Sequence, residues 1–287
     1  MNPAPDFDPA PSSDPASASD TGPAPDPDPA PTALRPLGGL FPLHTSRPVP
    51  PRPLPTLADA YAPGDEHPGP DPRPRLAKDP LAFRVRKVAA ALRVPETRVA
   101  ASVAHQGLAA RLWSVALGCA ALHGHVPDLA PRLLHWDPDA TAPDDLWLEQ
   151  VHPLPGDAGT VADVVLRTHL APLTAAVHAR YRVATGLLWG NAASALAGAG
   201  RELDRWARRN GRTDTADRAR ALTADLLAHP LLAGTGTLTG TAFRRRSCCL
   251  YYRVPGAGVC GDCCFSRPPE PCRSSSPPRP SPGAASG

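Results

Sequence analysis

The segment from Thr97 to Gly124 reads TRVAASVAHQGLAARLWSVALGCAALHG. Its apolar residues Val99, Val103, Leu108, Leu112, Val115, Cys119 and Leu122 recur at close to the helical period, which predicts one long helix with a wide apolar face. Pro95-Glu96-Thr97 opens that helix and Gly124 ends it. Upstream, Leu81, Phe83, Val85, Val88, Ala89 and Leu92 predict a shorter helix started at Asp79–Pro80. Downstream, the runs Leu133–Trp136 and Leu146–Val151 are short and flanked by Pro/Asp turns, and read as two strands of a small sheet. Thr160 to Arg182 reads as helix with a kink at Pro172. Further helices run from Thr185 or Gly186 to Trp206 and from Asp214 to Ala228, the last stopped by His229–Pro230. The fold class is therefore mainly α with a small β element.

Composition limits how much of the 287 residues folds. Of 40 prolines, 22 precede residue 80 and 7 follow residue 265, so the chain divides by composition. Residues 1–75 form a Pro/Ala/Asp-rich extension with too little apolar surface to offset the entropy of ordering. Within it, the leucines and Tyr61 of residues 33–75 allow partial packing. Residues 76–240 form the helical body, 241–265 a cysteine-rich segment and 266–287 a disordered tail. A formal net charge of +3 with arginines scattered among acids argues against a nucleic-acid partner. The longest mostly apolar run, Leu112 to Leu122, is too short to span a bilayer, which leaves at most peripheral membrane association. The N-terminus lacks the basic start and apolar core of a signal peptide, so a cytoplasmic location is expected. In that reducing compartment, clustered cysteines argue for metal before disulfide.

Six of the seven cysteines are Cys248, Cys249, Cys260, Cys263, Cys264 and Cys272. The seventh, Cys119, lies in the apolar helix and reads as core. A Cys-Cys pair is followed by ten residues and then Cys-x-x-Cys, whose turn brings two thiolates to one side. Four thiolates suit either tetrahedral zinc or an iron–sulfur cluster. Adjacent side chains diverge in an extended chain, which fits a two-iron cluster better than one small ion. Pro255–Gly256, Gly258 and Gly261 permit tight turns that free backbone N–H groups to point at sulfur. Cys264 adjoins Cys263 and competes with it, while Cys272 lies in the Pro/Ser tail.

The run Arg-Arg-Ser-Cys-Cys-Leu-Tyr-Tyr-Arg (Arg245 to Arg253), continued by Cys260-Gly-Asp-Cys263, closely resembles the C-terminal segment of the FhuF-like ferric-siderophore reductases. Leu188-Trp-Gly-Asn-Ala-Ala-Ser194 is similar to the Gly-Asn-containing helix start in the middle of that family's domain. The resemblance, taken over residues 76–265, implies a [2Fe–2S] cluster on Cys248, Cys249, Cys260 and Cys263. It further implies one-electron reduction of Fe(III) in a cytosolic ferric siderophore, of hydroxamate type, with release of Fe(II). Fe(III) is held by hard oxygen ligands and Fe(II) is held less firmly, so electron delivery suffices for release.

Around the ligands, Arg245, Arg246 and Arg253 offer a positive field, a docking surface for an acidic donor, or simply a solvated basic run. Tyr251 and Tyr252 either shield the cluster, form a substrate surface or pack. Trp189 and Asn191 are candidate pocket residues; a core tryptophan and a satisfied buried asparagine are the plainer alternatives. Gly234 to Gly240 has the wrong spacing and context for a nucleotide loop, so a separate electron donor such as a ferredoxin is expected. Two rival readings are an iron- or redox-sensing cluster protein and a structural zinc-binding module without redox activity.

Overall fold

The computed structural model describes residues 31, 34–45, 53–63 and 79–269. The expectations for residues 2–30, for Cys272 and for the tail beyond 269 lie outside the described residues. The chain is mainly α with short strands. In order it forms β1 (His44–Thr45), α1 (Leu57–Tyr61), α2 (Pro80–Leu92), α3 (Thr97–His123), β2 (His125–Pro127), β3 (Leu134–Trp136), β4 (Leu146–Leu148) and β5 (Pro153–Pro155). There follow α4 (Ala158–Ala162), a π-helical segment (Asp163–Leu170), α5 (Ala171–Tyr181), α6 (Thr185–Arg209), α7 (Thr213–Leu227), β6 (Gly236–Thr239) and β7 (Ala242–Arg245). No helix among the described residues is long and apolar enough to cross a membrane.

α3 is the axis of the fold. The sequence suggests one apolar face, yet α3 is buried nearly all round, because α2, α5, α6 and α7 pack against different sides of it. Its many alanines let neighbouring helices come close without leaving voids. A buried side chain that is not apolar is Arg111, whose Nε donates to Asp145 Oδ1 at 2.7 Å. Its Nη1 donates to the Leu40 carbonyl at 2.5 Å and its Nη2 to the Pro42 carbonyl. This clamps residues 40–42 onto α3. Gly118 admits the same segment: a Cβ there would stand 3.0 Å from Leu34 Cδ2 and Phe41 Cδ1. Leu34, Phe41, Leu43 and Leu57 are thereby buried in the core.

The two expected strands pair antiparallel, Leu134 opposite Leu148 and Trp136 opposite Leu146, and β1 adds in parallel on the far side of β4. Two further ladders, β2–β5 and β6–β7, are additions to the sequence reading. The expected single helix over Thr160–Arg182 is broken by the π-helical segment before Pro172, which lacks the N–H an α-helix needs there. That wider turn carries His169, fully buried, with Nε2 2.6 Å from the Leu129 carbonyl and Nδ1 2.8 Å from Tyr61 Oη.

Burial holds His169 down to about 4 and, with help from the Arg245 charge, holds His105 down to about 3. Both imidazoles are thus neutral in the folded chain, whereas in the unfolded chain they protonate near pH 6.5. Stability is then level above that pH and falls as acid is added, because the unfolded chain binds protons that the folded chain refuses. At pH 5 the loss is on the order of 2 kcal/mol per histidine, and a lower melting temperature at pH 5 than at pH 7.5 checks it. A melting temperature unchanged across that interval would contradict the assignment.

Candidate metal centre

The cysteine-bearing segment begins at the β6–β7 hairpin. β7 alternates, turning Phe243 and Arg245 inward and Ala242 and Arg244 outward. Gly236 opposite Arg245 is required by close approach, since a Cβ there would lie 2.3 Å from Phe243 Cζ. After β7 the chain runs through Ser247 into Cys248–Cys249 and reverses at Leu250, which adopts φ 68°. This left-handed residue brings its own N–H back to Cys248 Sγ at 3.2 Å. A 3₁₀ turn, Tyr251–Arg253, and the Pro255–Gly256 turn then return the chain to Cys260. The Cys263 N–H donates to the Cys260 carbonyl at 3.1 Å and closes the Cys-x-x-Cys turn. The Phe265 N–H lies 3.4 Å from Cys263 Sγ. The Arg245 N–H donates to the Asp262 carbonyl at 3.0 Å, tying the turn to the end of β7.

Five thiols converge as a result. The sulfurs of Cys248, Cys263 and Cys264 lie within 4.8 Å of one another, and those of Cys249 and Cys260 are 3.4 Å apart. All five are free thiols. The Cys249 and Cys260 thiols are hydrogen-bonded; that bond holds Cys249 down to about 6, with a backbone N–H and the Arg245 guanidinium contributing, and pushes Cys260 up. Removal from water pushes Cys248 up to about 11 and raises Cys264, and neighbouring thiols add to both shifts. The donors gathered here are all sulfur. Asp262, the nearest carboxylate in sequence, is turned away to accept from Ser194 Oγ at 2.7 Å and to meet Arg201 Nη1 at 3.5 Å. Such a set suits soft, thiophilic metals, and two groups of sulfurs suit two metal positions.

The segment rests on the helical body through buried polar contacts. Arg245, which the sequence places in a solvated basic run or a docking surface, is 2% exposed, and this corrects that reading. Its Nη2 donates to Asn191 Oδ1 at 2.6 Å. Asn191 is itself fully buried, so it is a structural bridge and not a residue facing an open pocket. Its Nδ2 donates to the carbonyl and Oγ of Ser102 on α3, each at 3.0 Å, and Ser102 Oγ donates to the Cys249 carbonyl at 2.8 Å. Gly190 leaves room for this arrangement: a Cβ there would sit 2.4 Å from Ser247 Oγ and 3.2 Å from Arg245 Nη2.

Trp189 is half-buried against the core. Arg246 is exposed, with its N–H bonded to the Thr235 carbonyl at 2.8 Å. Tyr251 packs on the core, whereas Tyr252 meets Phe265 edge-on at 5.9 Å. Arg253 stacks over Tyr252 and pairs with Glu96 at 2.9 Å. Sequence reasoning missed Ser102, Ser194 and Asp262. The signal for Ser194 was present, since Gly190, Asn191 and Ser194 share one face of α6 at helical spacing. No curated protein matches the chain. Residues 245–265 match the family described as FhuF 2Fe-2S C-terminal domain, the family the cysteine spacing resembles, and the thiols that they gather are compatible with a [2Fe–2S] cluster.

Proposed function

We propose that this protein is a ferric-siderophore reductase that delivers single electrons from a [2Fe–2S] cluster held by Cys248, Cys249, Cys260 and Cys263. The observation that carries the reading is the convergence of these thiols within the matched segment. The sulfur distances group Cys249 with Cys260, and Cys248 with both Cys263 and Cys264; of the latter two, Cys263 would be the ligand by the Cys-x-x-Cys spacing. When bound, an all-thiolate two-iron centre supplies one electron at a potential near about −400 mV if it is of plant-ferredoxin type.

The chain's own residues tune and protect that centre. Leu250 and Phe265 direct N–H groups at sulfur, and the buried Arg245 charge sits behind the Cys249 side; both favour extra negative charge on the ligands. Tyr251 packs the loop onto the core and Tyr252 meets Phe265 beside the Cys-x-x-Cys turn. On electron arrival, Fe(III) in the siderophore becomes Fe(II), no bond in the siderophore backbone breaks, and the weakened oxygen ligation lets iron leave. The substrate is a hydroxamate-type chelate, the electron donor is a separate one-electron carrier such as a ferredoxin, and the reaction takes place in the cytoplasm.

A single-turnover experiment tests this. Anaerobically purified protein should be brown, with iron and acid-labile sulfide in equal amounts. Reduced with dithionite, freed of excess reductant and mixed with a ferric trihydroxamate, it should re-oxidise and yield Fe(II) trapped by a chelator. A reduced spectrum that persists after mixing would sink the reductase reading, and a colourless zinc protein would sink the cluster with it.

A further inference from the structure

A cavity of about 480 Å³ opens beside the cysteine loop. Its walls are the Leu37–Phe41 segment that Arg111 clamps to α3, the outer faces of α3 and α6, and the Cys260–Asp262 turn. This volume is in the range of small-molecule sites. The cavity touches a proposed ligand, Cys260, directly. The cavity beside Arg111 and the one beside Tyr61 touch none of the C-terminal cysteines. A chelate seated here would stand against the backbone turn that carries a proposed ligand, Cys260. The walls combine the apolar Leu40 and Trp206 with the polar Gln106 and Ser194, a mixture suited to an amphipathic organic ligand.

Charge narrows the class of ligand. Two guanidiniums, Arg201 and Arg209, and two carboxylates, Glu202 and Asp262, line the walls and balance. Arg201 is already paired with Asp262, and Glu202 with Arg205. That leaves Arg209 as the one wall cation without an ion pair among the described residues, too little to offset the desolvation of a trianionic chelate, whereas an uncharged chelate has no such charge to desolvate. We propose that this cavity is the docking site for the ferric chelate, and that it takes an uncharged trihydroxamate-type complex with its edge against Cys260. The inference rests on the reductase reading and locates its substrate.

Gly198 provides the test. It lies on α6 in the cavity wall, and a Cβ there would meet only Arg201 Nη2, at 3.9 Å, so a larger side chain enters the cavity without displacing the fold. Binding of a gallium(III) trihydroxamate, uncharged and not reducible under these conditions, is measured by calorimetry on the cluster-loaded protein. Gly198→Phe should weaken it at least tenfold, and Gly198→Ala should change it less than threefold. The visible spectrum of both variants should stay that of the parent, and neither melting temperature should fall below it, since Gly198 is inside α6 and glycine is the weaker helix former. A gallium(III) tris-catecholate trianion should bind at least tenfold more weakly than the trihydroxamate. In single turnover, Gly198→Phe should slow re-oxidation by the ferric trihydroxamate but not by ferricyanide. Equal affinity in parent and Gly198→Phe, or no binding to the parent, overturns the cavity assignment, and tighter binding of the trianion overturns the charge class. Failure of the reductase reading looks different: the parent protein then is not re-oxidised by the ferric trihydroxamate at all.

Discussion

Replacing Cys248, Cys249 or Cys260 by serine is expected to remove the visible spectrum and lower bound iron and acid-labile sulfide more than about tenfold, because in the proposed assignment each supplies a thiolate for which no neighbour stands in. The Cys249 and Cys260 sulfurs lie 3.4 Å apart, outside the group of three, and Cys248 is the member of that group that comes from the opposite side of the loop. Cys263 and Cys264 are different. Both sulfurs belong to the group that includes Cys248, so Cys264→Ser should keep the full spectrum and Cys263→Ser a reduced and shifted one, with Cys264 standing in. Cys272→Ser should leave the spectrum intact. The far-ultraviolet dichroism of all these variants should match the parent, since the helices around α3 bury most of their apolar surface against one another and the loop adds only Val254 and the flanks of Leu250, Tyr251 and Ala257. Iron and sulfide analysis of anaerobically prepared variants decides the matter. A full-strength spectrum in Cys260→Ser would move the fourth ligand to Cys264 and undo the pairing of sulfurs.

The second large effect concerns the buried bridge beneath the ligands. Asn191→Leu removes the 2.6 Å acceptor of the Arg245 guanidinium and both bonds to Ser102. What remains is a cation at 2% exposure with only long contacts of 3.4 Å to Gln106 Oε1 and the Leu187 carbonyl, and whose Nε already lacks a partner among the described residues. Hydrogen bonds to charged groups contribute about 1.5–3 kcal/mol, and stranding a buried charge costs more than losing a neutral pair. A destabilisation of about 3 kcal/mol, a melting decrease on the order of 10 °C for a domain of this size, is therefore expected. The damage should also reach the metal, because Ser102 then loses the partner that aims its hydroxyl at the Cys249 carbonyl. Faster loss of the visible spectrum in the presence of a chelator reads this out. Arg245→Met should weaken the effect of Asn191→Leu, giving a coupling of at least about 1 kcal/mol in a double-mutant cycle. Additive losses, or a melting temperature within 2 °C of the parent, would show that Asn191 holds nothing in place.

Periodicity alone was enough to find α2, α3, α6 and α7, and to recognise that Leu133–Trp136 and Leu146–Val151 form strands. Long helices with alanine- and leucine-rich faces announce themselves because their burial repeats every turn. The ladders β2–β5 and β6–β7 were not legible. Three- and four-residue strands hold too few residues for alternation to register, and β5 is Pro-Leu-Pro, which propensity alone would reject. The π-helical segment before Pro172 was likewise hidden, since a change of one residue in turn length does not alter the composition of an apolar face.

At the centre, the residue types and spacing of the cysteines were enough to name a thiolate metal site, because few other chemistries place a Cys-Cys pair and a Cys-x-x-Cys turn ten residues apart. The grouping of the sulfurs was beyond reach, as it depends on the left-handed turn at Leu250 and on the path from Tyr251 to Val259. So was the role of Arg245. Its identity suggests solvent, and only the meeting of β7 with α6 turns it inward to Asn191, across 54 residues of chain. Spacing along a chain encodes which donors are available. Which of them face one another, and what charge lies behind them, is set by helices packed from distant parts of the sequence, because burial and Coulomb energy depend on distance in space.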